Sequence, residues 1–262
     1  MEEIRVLGLR IAYERAGRGP ALVLLHGFAG DSREWRGQID ELSDEFTVVA
    51  WDAPGAGRSD DPPPSFRMAD YADCLAEVIG ALNLERPHIA GLSFGSALAL
   101  ELYRRHPSVP RTLILAGAYA GWTGSLPTEV RDARLRRSLE LAEQVPAEFV
   151  AGMIPTLFPE STPKAMIDGF STIVAQFHPD GFRTLARSLA EADLRDVLPR
   201  IRVPTLLVYG DRDVRASLDV AEALHTAIPE SILVILPGVG HMSNVQAGDK
   251  LNHEVRQFLH AS

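Results

Sequence analysis

The 262 residues are enough to bury a large core, as one domain or as a domain carrying an insertion. The net charge of −9 is spread along the chain rather than blocked, which argues against nucleic acid or an anionic membrane as partner, since both reward basic patches. Cys74 is alone, so no internal disulfide forms; with no basic-then-apolar leader at Met1–Arg5 and no apolar run near the roughly 20 residues of a membrane span, a cytoplasmic protein is expected.

Two short strands are predicted around Ile4–Val6 and Leu9–Arg15, joined by a turn at Gly8. The continuous apolar run Ala21–Leu25 has the pattern of a strand covered on both faces, and it ends in His26-Gly27-Phe28. Asp31 or Ser32 can cap a helix running through Ser43. Phe46–Trp51 is the next buried strand and leads into the Gly- and Pro-rich loop Asp52–Ser59; Met68–Leu82 then has helical spacing. Pro87–Ala90 is mostly apolar, Ser96–Arg105 is an unbroken helix-forming run, and Arg111–Gly117 is a strand. This alternation predicts an α/β fold with a mostly parallel sheet and helices on both faces.

After Gly117 the rhythm changes. Only helical pattern follows, over Thr128–Gln144, Ala147–Leu157, Pro163–Phe177 and Pro179–Ala192, punctuated by prolines. Strand 204–209, helix Leu218–Ile228, strand Ser231–Leu236 and helix Val245–Leu259 finish the chain. The simplest account divides it into a core of residues 1–118 and 199–262 and a helical cap, or lid, of residues 119–198 inserted after the sixth strand.

Gly91-Leu92-Ser93-Phe94-Gly95 lies between the strand and the helix that frame it. A serine on such a strand-to-helix turn presents its hydroxyl at the edge of the sheet, and the flanking glycines avoid collision with neighbouring backbone. That hydroxyl is a poor nucleophile unless a base, oriented by a third group, stands beside it. The loops after the last two strands offer both groups. His241 follows Gly240 where an imidazole can reach across the sheet edge, while His26, His88, His106, His178, His225, His253 and His260 are worse placed. Asp213 is preferred to Asp211 as the acid, because Asp211 directly follows Gly210 and has the position of a turn former. The backbone N–H groups of Phe28 and Phe94 are the expected oxyanion donors.

Together, His26-Gly27-Phe28, the Asp52–Ser59 loop, Gly91–Gly95, Gly210–Asp213 and Gly240-His241 resemble the α/β-hydrolase superfamily, over essentially the whole chain. The closest likeness is to lid-bearing bacterial serine hydrolases that include enol-lactone hydrolases and carboxylesterases. The resemblance implies an eight-stranded sheet, Ser93 as nucleophile, His241 as base, Asp213 as acid, no metal and no cofactor. Ser96 stands where many relatives have a second glycine.

Relatives that attack alkyl carbons use a carboxylate nucleophile, since serine would leave an inert ether; Ser93 therefore points to an acyl carbon. Tyr119, Trp122, Met153, Phe158, Met166, Phe170 and Phe177 are candidates for an apolar pocket under the lid, and the arginines between Arg131 and Arg137 read as a solvated helix face. The expected substrate is a small or medium, largely apolar ester or lactone. A carbon–carbon bond hydrolase or lyase on the same triad, or a ligand receptor of the same fold, are the competing readings. Homo-oligomerisation is left open.

Overall fold

The computed structural model describes residues 1–262. Eight strands form one sheet in the order β1-β2-β4-β3-β5-β6-β7-β8, where β1 is Glu2–Val6, β2 Leu9–Ala16, β3 Ala21–Leu25, β4 Thr47–Trp51, β5 His88–Leu92, β6 Thr112–Ala116, β7 Thr205–Gly210 and β8 Ile232–Leu236. The first hairpin runs antiparallel and β2 joins β4 antiparallel; every later pairing is parallel. Strands β4, β5 and β6 are buried along their whole length, which fits their largely apolar composition: helices cover both faces.

The helices of the core ahead of the sixth strand are α1 (Arg36–Leu42), α2 (Met68–Ala81) and α3 (Phe94–Arg105). Between β6 and β7 the chain makes α4 (Gly121–Ser125), α5 (Thr128–Leu141), α6 (Pro146–Met153), α7 (Lys164–Val174) and α8 (Pro179–Glu191), with no strand among them. Helices α9 (Leu218–Ala227), α10 (Ser243–Gln246) and α11 (Gly248–His260) complete the fold. Pro146 and Pro179 stand at the first positions of α6 and α8, where a missing N–H costs nothing.

Two predicted helices differ. The stretch from Asp31 begins as a 3-10 turn over Ser32–Trp35, capped by Asp31 Oδ1 accepting Arg33 N–H at 3.0 Å, and becomes α-helical only at Arg36. The last predicted helix is two, broken at Ala247. The short piece α10 is held by Gln246, whose Oε1 accepts Gly240 N–H at 2.8 Å and whose Nε2 donates to Gly238 O at 3.0 Å. Those bonds tie it to the loop carrying His241.

The segment between β6 and β7 is fastened to the core at close range. A Cβ at Gly181 would lie 2.1 Å from Gly55 O, so α8 starts directly on the 52–60 loop. His178 reinforces that contact through Asp61 Oδ1 at 2.7 Å and Gly57 O at 3.0 Å. No helix is long and apolar enough to cross a membrane.

Candidate active site

Sterics build the turn at Ser93. The residue has φ 54° and ψ −106°, a left-handed conformation that a side chain adopts only when its surroundings hold it. Its N–H donates to Ala116 O at 2.8 Å and so anchors the turn to β6. A Cβ at Gly91 would sit 2.3 Å from the Gly95 carbonyl carbon, and one at Gly95 would sit 2.1 Å from Leu25 O. Neither position admits a larger residue without moving backbone. Ser96 is accommodated because its hydroxyl lies between Gly91 O, at 2.6 Å, and Ala116 O, at 3.0 Å.

His241 and Asp213 come from the loops after β8 and β7. His241 Nδ1 lies 2.7 Å from Asp213 Oδ2 in a fully buried pair. Asp213 Oδ1 accepts the N–H groups of Arg215, at 2.8 Å, and Ala216, at 2.9 Å. Burial alone would raise the Asp213 carboxyl; the charge and hydrogen bond of His241, with the two N–H groups, outweigh it and hold the carboxyl below its ordinary range. An ionised Asp213 fixes the His241 proton on Nδ1 and leaves Nε2 free to accept another. Gly117, at φ 51°, makes room for the pair: a Cβ there would be 3.1 Å from His241 Nδ1. Asp211 is exposed and accepts Gly238 N–H at 2.6 Å, a local turn bond.

Ser93 and His241 line one narrow cavity, of about 10 Å³, together with Phe28, Met153, Phe170 and Arg215. At its edge the backbone N–H groups of Phe28 and Phe94 donate no hydrogen bond within the protein. Phe94 opens α3, so the positive end of that helix dipole adds to its N–H. Phe28 is set by its neighbours: Gly27 N–H donates to Glu34 Oε1 at 2.9 Å, and the Phe28 ring stacks on Phe182 at 4.2 Å. His26 is structural, its Nδ1 facing Gly27 O at 2.7 Å and its Nε2 accepting Ala53 N–H at 2.9 Å.

The seven residues expected to line an apolar pocket divide. Met153 and Phe170 reach the cavity that Ser93 lines. The other five do not, and four of them are spent on holding the helices together. Trp122 packs edge-on against Phe28, Phe158 against Phe170, and Phe177 stacks on Phe149 at 3.7 Å. Tyr119 is buried with its hydroxyl accepting from Arg134 Nη1 at 2.9 Å. Met166, 40% exposed, lines an outer cleft that shares only Phe170 and Glu34 with the inner cavity.

Two polar residues of the cavity wall, Glu34 and Arg215, were not anticipated. Burial pushes the Glu34 carboxyl up to about 8, although Gly27 N–H and the Asn244 amide bond to Oε1; Oε2 has no partner. Its one sequence signal is Gly30, whose absent Cβ would lie 1.8 Å from Oε2. The reading of Arg131–Arg137 as a solvated face also needs correction. Arg136 and Arg137 are exposed, but Arg134 turns inward over the rings of Tyr119 and Trp122, at 5.6 and 5.4 Å.

A mostly parallel sheet with a strained serine turn at one edge, and an aspartate and a histidine on later loops of the same edge, defines an α/β hydrolase. The chain belongs to the alpha/beta hydrolase family, whose model matches residues 22–254. A thermophilic esterase from Thermogutta terrifontis, solved with malate bound, superposes with a TM-score of 0.92 at 28% identity, covering 100% of this chain and 99% of the esterase. The enol-lactonase from Burkholderia xenovorans LB400 shares the fold, with a TM-score of 0.89 at 22% identity over 98% of this chain and 99% of its own. Among sequences, the putative carbamate hydrolase RutD of Yersinia enterocolitica is 28% identical over 91% of this chain and 86% of its own length.

Proposed function

We propose that this chain is a serine hydrolase that cleaves a small or medium, largely apolar carboxylic ester or lactone through an acyl-enzyme on Ser93. The observation that carries the reading is the buried His241–Asp213 pair opening onto the cavity that Ser93 also lines. In this mechanism Ser93 Oγ adds to the carbonyl carbon and passes its proton to His241 Nε2. The oxyanion takes the two N–H groups of Phe28 and Phe94, each worth about 2.7–4 kcal/mol of barrier. His241 then protonates the leaving alcohol, and a water deprotonated by the same imidazole releases the acid from Ser93. Asp213 holds the imidazole in the right tautomer and offsets its positive charge throughout.

The helices over residues 119–198 act as the lid in this reading. They supply Met153 and Phe170 to the cavity wall, with Leu157 from the segment between them, and Leu157 O accepts His241 N–H at 3.0 Å, which ties this segment to the loop carrying the base. The apolar side chains among these walls support an ester or lactone with a largely hydrocarbon body. The carbamate chemistry named for the Yersinia relative also proceeds at an acyl carbon and belongs in the same substrate panel. Steady-state hydrolysis of p-nitrophenyl esters of increasing chain length by wild type and Ser93→Ala tests the proposal. It predicts turnover that disappears with the hydroxyl; equal rates in both proteins would refute it.

A further inference from the structure

Beside the catalytic cavity lies a second cleft of about 500 Å³, walled by α5, α6 and the loop after β7. The two share Met153 and Arg215. Arg215 is half-buried, as is Arg134, which lines the same cleft and donates through Nη2 to Arg215 O at 3.3 Å. No carboxylate lies within 4 Å of either guanidinium, in contrast to the half-buried Arg33, Arg131 and Arg183, which pair with Asp31, Asp132 and Glu143 respectively. Each guanidinium carries five N–H donors, yet the pair spends only three bonds within the protein: to Tyr119 Oη, to Arg215 O and, from Arg215 Nη1, to Thr156 Oγ1 at 2.8 Å. The nearest acids are engaged or distant: Asp213 gives its oxygens to His241 and to backbone, and Glu129 is exposed at the cleft rim.

We propose that Arg134 and Arg215 form a carboxylate subsite, so that the substrate is an ester or lactone whose apolar body ends in a carboxylate. This rests on the serine hydrolase reading and narrows it. Holding two like charges half out of water without a counter-ion is costly, and a ligand carboxylate would offset that cost. The planar fork of an arginine suits a carboxylate because two parallel N–H groups match its two oxygens. Arg215 spans the two spaces, so an anion held there stays attached to a carbonyl reaching toward Ser93. The residue follows Asp213 by two positions and is fixed by the same turn, through its N–H on Asp213 Oδ1.

Two measurements test the subsite. In the first, hydrolysis of monomethyl adipate is compared with methyl hexanoate by pH-stat, for wild type, Arg134→Gln, Arg215→Gln and Arg215→Lys. The ratio of kcat/KM for the charged over the neutral ester is expected to exceed one in wild type and to fall about 10–100-fold in either glutamine variant, with partial recovery in Arg215→Lys. In the second, adipate is titrated calorimetrically into Ser93→Ala alone and combined with each arginine variant, which requires no turnover. Binding that disappears with either arginine supports the subsite even if no ester is cleaved, in which case only the hydrolase reading fails. A charged-to-neutral ratio unchanged by the arginine variants, or adipate binding that is absent or insensitive to them, overturns the proposal.

Discussion

Replacing Glu34 by glutamine gives the sharpest quantitative test of the site's electrostatics. The carboxyl is 4% exposed, Oε1 accepts Gly27 N–H, and Oε2 has no partner, so the folded state keeps its proton to about pH 8 while the unfolded chain releases it near 4.5. Between those values the native state binds the extra proton, and stability must fall as pH rises, levelling off above about 8. At about 1.4 kcal/mol per pH unit, the difference sets a ceiling of about 5 kcal/mol lost between pH 4 and pH 9. A glutamine at this position keeps an oxygen for Gly27 N–H and places a neutral donor where the protonated Oε2 stood, so it removes the titration without emptying the space. Urea unfolding followed by circular dichroism, at each pH from 5 to 9, should show wild type losing at least about 2 kcal/mol more than Glu34→Gln over that range. Parallel curves for the two proteins would refute the assignment of Glu34 as a buried, proton-holding acid.

Other outcomes follow from the same geometry. Gly95→Ala places a methyl against Leu25 O and should cost about 3 kcal/mol, read as a lower urea midpoint; an unchanged midpoint would mean the turn is looser than the 2.1 Å approach implies. Gly181→Ala should likewise lower the melting temperature by forcing α8 off the 52–60 loop, and near-identical melting would show that this contact yields. Asp213→Asn keeps the shape but reverses the hydrogen bond with Nδ1, so kcat on an activated ester should fall about 10⁴-fold; a loss under tenfold would remove Asp213 from the mechanism.

The strand framework and the serine turn were readable because they rest on local rules. The apolar runs at Ala21–Leu25 and Thr47–Trp51 are buried strands, and the glycines around Ser93 are there because no Cβ fits. Asp213 and His241 were legible from position, since strand ends of a parallel sheet share one edge. What the sequence hid were side-chain interactions that helical spacing does not encode. Gln246 breaks the last helix by bonding to the His241 loop, and nothing in the helical spacing of 245–259 announces that. Arg134 lies among residues of unexceptional helical polarity, and only the placement of Tyr119 and Trp122 beneath it turns its guanidinium inward. Glu34 sits in the first turn of its helix as acidic residues often do, and its burial depends on Gly27, Gly30 and Asn244 converging on it.

The most direct test of the central claim is covalent. A fluorophosphonate probe added to the native protein, followed by peptide mass analysis, should modify one residue, Ser93, and labelling should vanish in Ser93→Ala and slow by orders of magnitude in His241→Ala. Adduct on any other residue, or a protein left unmodified while its esterase activity persists, would contradict it.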